Sequence, residues 1–140
     1  MIYSLKELLK KDTSLSVVSF ISEQISKLLG YPLSEKNKIF ELSCTTNFFV
    51  NIDEELTVLG IIVISCKSFL FDERIFFVEI LASKDNNQLV EQSLLLKGIN
   101  HVGKLSNDSR LVSLITDERM QKDVLTPFGF VHSQGIMVKI

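Results

Sequence analysis

The chain has 140 residues, of which 46% are hydrophobic and 23% are charged, and its net charge is −2. These proportions are typical of a globular protein and exclude a disordered chain. The length suits one domain covering residues 1–140. No run of Lys and Arg is long enough to form a nucleic-acid surface, so we expect no nucleic-acid partner.

The apolar segments and the cysteines favour a cytoplasmic protein without a membrane anchor. Residues 1–12 carry charges throughout and contain no apolar core of the kind found in signal peptides. The longest uninterrupted apolar run, Val58 to Ile64, is far shorter than the roughly 20 residues that cross a bilayer. Cys44 and Cys66 form no CxxC motif, so we expect two reduced thiols and no disulfide or metal site.

The N-terminal part of the chain has helical spacing. The leucines from Leu5 to Leu9 predict a short amphipathic helix, and apolar residues from Val17 to Leu29 predict a longer one. Residues 12–14 are capping candidates for the longer helix, and Gly30 is expected to end it. A further helix is predicted from Ser34 to Leu42.

The spacing changes to that of strands after Asn47. Three strands are predicted at Phe48–Val50, Leu56–Cys66 and Ile75–Ala82, with turns at residues 53–55 and 72–73. The middle strand is apolar on both faces, which is typical of a central strand covered on each side. The sequence therefore predicts an antiparallel meander of three strands.

The C-terminal part mixes helices and strands. The predicted elements are a helix at Leu89–Val102, a strand at Leu111–Thr116, a short helix at Asp117–Leu125, and one or two strands at Phe128–Ile140. We expect the strands at Ile75–Ala82 and Leu111–Thr116 to be parallel neighbours, with the helix between them as their crossover. This order predicts an α/β (α+β) fold with a mixed sheet and helices on both faces.

This order of elements resembles the GNAT superfamily of N-acetyltransferases, and three segments carry the resemblance. They are the LLGYPLSE turn at residues 28–35, the acidic turn before a strand of the family's "-VG-" type at residues 49–60, and the Phe128-Gly129-Phe130 segment followed by residues 137–140. The resemblance implies transfer of an acetyl group from acetyl-CoA to a primary amine of a small molecule or a peptide.

The cofactor loop of that family is the place where this sequence departs from it. The family has a Q/R-x-x-G-x-G/A loop whose backbone N–H groups hold the diphosphate of coenzyme A. The loop motif of the family can be aligned with this sequence in two registers. A start at Gln88 puts Glu91 and Ser93 in the glycine places, and a start at Asn86 puts Leu89 and Glu91 there. In both registers we expect the Glu91 carboxylate to repel the diphosphate.

The resemblance also assigns roles to single residues. Glu79 matches the carboxylate on the family's fourth strand that deprotonates the amine, and an apolar strand would suit that role. The alternative is a structural carboxylate paired with Arg74 or a lysine. Leu125 occupies the place of the tyrosine that acts in the family as general acid for the departing thiolate. A leucine has no proton to give. The implied cofactor contacts are the main chain at Leu81, Ala82 and Ser83 and the N–H groups of Gln88, Leu89, Val90, Glu91, Gln92 and Ser93.

The remaining candidates have simpler interpretations. His101 and His132 have no Cys, Asp or His at metal-ligand spacing, so we expect surface or helix-end histidines. The Phe69-Leu70-Phe71 segment is a candidate contact for a homodimer, and the alternative is that it folds back onto the sheet. The missing glycines and tyrosine favour a second function, a catalytically inactive GNAT-fold binding or regulatory module.

Overall fold

The computed structural model describes residues 1–11, 15–30, 47–68, 74–105, 109–133 and 136–139. Its elements are β1 Ile2–Ser4, α1 Leu5–Lys11, α2 Leu15–Leu29, β2 Asn47–Ile52, β3 Val58–Ser68, β4 Arg74–Ser83, a 3-10 turn Lys84–Asn86, α3 Gln88–Leu105, β5 Arg110–Ser113, α4 Glu118–Met120, a π turn Gln121–Leu125, a 3-10 turn Thr126–Phe128, β6 Phe130–Ser133 and β7 Ile136–Lys139. The predicted helix at Ser34–Leu42, the turn at 72–73 and the Phe69-Leu70-Phe71 segment lie outside the described residues.

All seven strands form one sheet with the order β1-β2-β3-β4-β5-β7-β6. The predicted meander is confirmed, because β2, β3 and β4 pair antiparallel. The predicted parallel neighbours are confirmed as well, since β4 pairs with β5 from Ile75↔Arg110 to Val78↔Ser113. The sequence did not predict β1, whose three residues are too few to show an alternating pattern. It pairs with β2 at the edge of the sheet.

Helices cover both faces of the sheet, as predicted. One core cluster, between α3 and the sheet, contains Phe49, Ile62 and Leu94, and the other, beneath α1 and α2, contains Phe48 and Ile61. Neighbouring residues of β3 therefore pack into the cores on opposite faces of the sheet, and Ile61 and Ile62 are both fully buried. This arrangement explains why the central strand is apolar on both faces.

The contact between α3 and β3 depends on two glycines. A Cβ atom on Gly60 would lie 2.7 Å from Cγ1 of Val90 and 2.9 Å from the carbonyl oxygen of Ala82. A Cβ atom on Gly98 would lie 2.6 Å from Cδ1 of Ile64. Because such distances are too short for real carbon atoms, larger residues would push the helix away from the sheet.

The C-terminal end of α2 and the turn of the first hairpin follow the sequence signals, whereas the capping candidates at residues 12–14 lie outside the described residues. Gly30 has a φ of +77° and its N–H donates to the carbonyl of Ser26 at 3.0 Å, which confirms it as the residue that ends α2. In the turn before β3, Oδ1 of Asp53 accepts the N–H groups of Glu55 and Thr57, each at 2.9 Å. Asp53 therefore fixes this turn through its side chain.

The segment after β5 differs from the single short helix that the sequence predicted. Asp117 caps α4 by accepting the N–H of Met120 at 2.9 Å, but the helix then widens into the π turn and ends in the 3-10 turn. Pro127 contributes to this change, because it has no N–H to donate to the carbonyl of Asp123. Among the described helices, none combines the length and apolar composition that a membrane span requires.

Candidate functional site

The two parallel strands β4 and β5 separate halfway along β4. Their ladder ends at Val78↔Ser113, after which the N–H of Leu114 donates to the carbonyl of Val78 at 3.0 Å. β4 continues to Ser83, where it still pairs with Gly60 of β3. The edge of β4 that faces β5 therefore has no strand partner beyond Val78 in the described part of the chain. A gap opens there at the C-terminal ends of the parallel strands.

Glu79 lies at the start of this gap. On the β3 side, Val63 pairs with Ile80 and Ile64 pairs with Val78, so Glu79 is the extra residue of a β-bulge. Its side chain is exposed, although the strand around it is apolar. No ion pair joins Glu79 to Arg74 or to a lysine within the described residues. The bulge turns this carboxylate out of the regular ladder.

The residues after Glu79 form one wall of the gap. Leu81 and Ser83 are buried and Ala82 is half-buried, in line with the alternation of a strand. The hydroxyl oxygen of Ser83 is buried and has no hydrogen-bond partner among the described residues. A buried hydroxyl without a partner costs free energy, so it marks a place where a polar ligand group would be stabilising.

The loop between β4 and α3 obtains its turn without glycine. Asp85 and Asn86 adopt left-handed conformations with φ values of 57° and 51°, which Asp and Asn tolerate better than most residues. Asn87 then caps α3, since its Oδ1 accepts the N–H of Val90 at 3.3 Å. Its carbonyl accepts the N–H of Glu91 at 3.0 Å.

The residue at which α3 begins determines which backbone N–H groups can bind a ligand. Both glycine registers place their glycine positions inside α3, which begins at Gln88. The N–H groups of Gln88 and Leu89 have no intrahelical partner, because they belong to the first turn. Beside this turn lies an open cavity of about 310 Å³, lined by Leu59, Lys84, Asp85 and Asn87. It contains one cation, Lys84, and one carboxylate, Asp85, beside the positive end of the α3 dipole.

The Glu91 carboxylate does not face this cavity. It is fully buried, and Arg119 donates to both of its oxygens, from Nη1 at 3.1 Å and from Nη2 at 2.7 Å. This hydrogen bond is the main cause that raises the pKa of Arg119 above its usual value. The expectation that Glu91 repels a diphosphate is therefore wrong, because its charge is paired inside the protein. The sequence signal that could have shown this is the helical spacing of Glu91 to Leu94 and Gly98, which are buried on the same face of α3.

Two glutamines join the start of α3 to the segment after β5. The side-chain amides of Gln88 and Gln92 donate to the carbonyl of Asp123, at 3.4 and 3.3 Å. Pro127, four residues after Asp123, has no N–H to donate to this carbonyl as an α-helix would require. The segment after β5 is therefore held against α3, and Leu125 lies in the core of that region with no exposed surface.

The two histidines lie away from the gap. His101 packs its ring edge-on against Phe49 and contacts Asn47, while His132 is exposed on β6. Among the residues that the structure describes, no three His, Cys, Asp or Glu side chains come together in an arrangement that could bind a metal ion.

Comparisons with known proteins bear on the fold. No protein-family model matches the sequence. No curated protein matches it either. The structure is similar to that of a chain in the NatC complex bound to Gag peptide and CoA, with a TM-score of 0.68, 13% identity, and coverage of 96% of this chain and 86% of that one. It is also similar to a transcriptional regulator from Bacillus halodurans C-125, with a TM-score of 0.66, 13% identity, and coverage of 96% and 94%.

A further neighbour is the GNAT family N-acetyltransferase YhbS from Escherichia coli in complex with CoA. Its TM-score is 0.64, the identity is 15%, and the match covers 99% of this chain and 79% of that one. At such identities the similarity concerns the course of the backbone. Together with the parallel pair β4–β5, its crossover helix α3 and the gap beside Glu79, it shows that this chain has the GNAT fold.

Proposed function

We propose that this protein transfers an acetyl group from acetyl-CoA to a primary amine of a small molecule or a peptide. The position of Glu79 carries the proposal. It is the bulged residue of β4, and it lies where β5 leaves β4. A carboxylate placed there can reach an amine at the gap, while the free edge of β4 is available to the donor.

The residues around the gap fit acetyl-CoA. The main chain from Leu81 to Ser83 would pair with the amide groups of the pantetheine arm, as an additional strand would. The buried hydroxyl of Ser83, which has no hydrogen-bond partner among the described residues, would gain one from the bound donor. The N–H groups of Gln88 and Leu89 and the ammonium of Lys84 would hold the diphosphate.

Acetyl-CoA supplies the activated thioester for this reaction. Glu79 would accept a proton from the amine, directly or through a water molecule, so that the nitrogen can attack the carbonyl carbon. The carbon–sulfur bond then breaks as the amide forms. Leu125 has no proton to give, so water would protonate the departing thiolate. Exposure of Glu79 agrees with proton exchange with solvent.

A second function, a GNAT-fold binding or regulatory module without catalysis, is supported by the loop. Leu89, Glu91 and Ser93 carry side chains at positions where the family's glycines let the backbone approach a diphosphate. One of the fold neighbours is described as a transcriptional regulator. With this function, the gap binds a ligand or a partner segment and no acetyl group is transferred.

Binding of acetyl-CoA separates the two functions. At 100 times Kd, a ligand that binds the native state stabilises it by about 2.7 kcal/mol, which corresponds to roughly a 10 °C rise in Tm for a domain of this size. We expect a rise of this order with acetyl-CoA, and release of free thiol when amines are added. No rise in Tm at millimolar acetyl-CoA would reject donor binding and favour the regulatory module.

A matched pair of variants tests whether the loop limits binding. Leu89 is 75% exposed, so Leu89→Gly should free the backbone at little cost in packing and strengthen acetyl-CoA binding. Leu96→Gly removes an exposed leucine farther along α3 and should leave the affinity unchanged. Both variants lose up to about 1 kcal/mol of helix stability, so each is compared with its own ligand-free Tm. Equal affinities in both would show that the side chain at Leu89 does not limit access.

A further inference from the structure

A second cavity, of about 300 Å³, opens at the β1 edge of the sheet. Its walls come from β1, the start of α1, the first residues of β2 and the C-terminal half of α3. Nine to thirteen residues of α3 separate Gln88 from Lys97 and His101, which corresponds to about 14–20 Å along the helix. The cavity is therefore separate from the gap between β4 and β5, and ligand binding in it is independent of the proposed function.

An aromatic ring provides an apolar surface in this cavity. Phe48 and Phe49 both line it, but the Phe49 ring belongs to the core beneath α3 and the Phe48 ring to the core on the opposite face of the sheet, so the ring on the α3 side is that of Phe49. The ring of His101 meets that of Phe49 edge-on, with centroids 5.0 Å apart and an interplanar angle of 72°. Nζ of Lys97 lies 5.9 Å from the centre of the Phe49 ring. An apolar ligand group would thus find a rigid floor with a cation beside it.

The polar wall of the cavity is held in place by hydrogen bonds. Nε2 of His101 lies 3.0 Å from Oδ1 of Asn47. Because that oxygen can only accept, Nε2 carries the hydrogen and Nδ1 of the neutral ring has a free lone pair. On the other wall, Oγ of Ser4 accepts the N–H of Glu7 at 3.1 Å, which fixes the start of α1.

Positive charge dominates the cavity. Lys6 and Lys97 line it together with a single carboxylate, that of Glu7. Burial lowers the pKa of His101, and the nearby charges of Lys97 and Lys104 lower it further. The charged groups that face this ring are thus cationic on α3, with Lys6 and Glu7 on the opposite wall. An anion placed between these walls would offset the excess of positive charge.

We propose that this cavity binds a small organic monocarboxylate with an aromatic or branched apolar body. The ammonium groups of Lys6 and Lys97 hold the carboxylate, and the body packs on the ring of Phe49. The volume is at the lower end of the range of roughly 300–1,000 Å³ for small-molecule sites, which suits a ligand of this size. A neutral ligand would leave the net positive charge of Lys6, Lys97 and Glu7 uncompensated, and a cation would add to it.

Benzoate is a suitable probe, with benzamide and benzylamine as neutral and cationic controls of the same shape. In NMR titrations of the full chain, we expect saturable shifts of the Asn47 and His101 signals with benzoate and weaker effects with the controls. We also expect bound benzoate to raise the pKa of His101, because an anion favours the protonated ring. Equal binding of the three probes, or no saturable shift at millimolar benzoate, would overturn the proposal.

Two lysine variants provide the matched comparison. Lys97 and Lys122 are both exposed, so replacing either by Gln leaves the core intact. Lys97→Gln should weaken benzoate binding about tenfold, the effect of losing one charge-assisted hydrogen bond. Lys122→Gln, on the segment after β5, should leave benzoate binding unchanged. An unchanged Kd in Lys97→Gln, or an equal loss in both variants, would contradict the proposed site.

Discussion

Arg119 donates a hydrogen bond to each carboxylate oxygen of Glu91, at 3.1 and 2.7 Å. The Glu91 side chain is fully buried, whereas a third of the Arg119 side chain reaches solvent. The pair joins the first turn of α3, the helix that follows β4, to α4, the helix that follows β5. Since no water reaches Glu91, its negative charge depends on Arg119 for compensation.

Removal of Arg119 should therefore destabilise the protein strongly. We expect Arg119→Met to lower the free energy of unfolding by about 3 kcal/mol, because a buried carboxylate loses its partner. Urea denaturation measures this loss. Lys122→Met, which removes an exposed cation from the same segment, should change stability by less than about 0.5 kcal/mol.

The double variant Glu91→Leu with Arg119→Met distinguishes charge from packing. If the loss in Arg119→Met comes from an unpaired charge, removing that charge should restore most of the stability. A double variant as unstable as the single one would show that the packing of the arginine stem accounts for the effect.

The two glycines beneath α3 should differ in their tolerance of alanine. Gly60→Ala brings a methyl group within 2.9 Å of the carbonyl oxygen of Ala82, which is backbone and cannot move aside. Overpacking of this kind costs typically about 1–3 kcal/mol. At Gly98 the new contact is the end of the Ile64 side chain, so a smaller loss is expected.

Gly103→Ala is the control for the glycine variants. Nothing lies within 4 Å of the added Cβ atom, so this variant should gain up to about 1 kcal/mol from helix propensity. Thermal unfolding of the three variants ranks their stabilities, and we expect Gly103→Ala to have the highest Tm and Gly60→Ala the lowest. A Gly60→Ala protein as stable as the parent would mean that the strands can separate to accept the methyl group.

Protonation of His101 should contribute to the pH dependence of the free energy of unfolding. Its pKa in the folded protein lies below the usual value of 6.5, chiefly because it is partly buried. Above 6.5 neither state binds the proton, so this histidine does not affect stability there. As the pH falls below 6.5, the unfolded state takes up the proton first, and the free energy of unfolding decreases until the folded-state pKa is reached.

Replacement of His101 isolates this contribution. His101→Gln should flatten the fall in stability below about pH 6.5, as measured by urea denaturation at a series of pH values. His132→Gln, which changes an exposed histidine on β6, is the matched control and should retain the slope of the parent. The same slope in all three proteins would contradict the assignment.

Glu79 is tested by a conservative change. If the protein transfers acetyl groups, Glu79→Gln should lower kcat/KM by roughly 10²–10⁴, the usual contribution of a positioned base. The affinity for acetyl-CoA should stay the same, because the amide keeps the shape of the side chain. Glu54→Gln in the first hairpin turn should leave both quantities unchanged. An unaltered rate in Glu79→Gln would remove this residue from the mechanism.

Much of the fold could be predicted from the sequence because local chemistry determines it. Gly30 ends α2 through a left-handed backbone that glycine adopts easily. The apolar run around Ile61 and Ile62 required cover on both faces and so belonged to a central strand. A change from helical to strand spacing after Asn47 was sufficient to place the meander. These signals come from a few neighbouring residues, and the tertiary structure did not alter them.

The features of the candidate site required the tertiary structure. The bulge at Glu79 arises from the register between β3 and β4, which the sequence of β4 alone does not contain. The pairing of Glu91 with Arg119 joins residues 28 positions apart, so only the packing of α3 against α4 reveals that this carboxylate is neutralised. The sequence alone predicts that Glu91 faces a diphosphate, because its partner depends on how the chain returns after β5. Distances across a fold arise from the packing of whole elements, whereas sequence patterns report the preferences of each element separately.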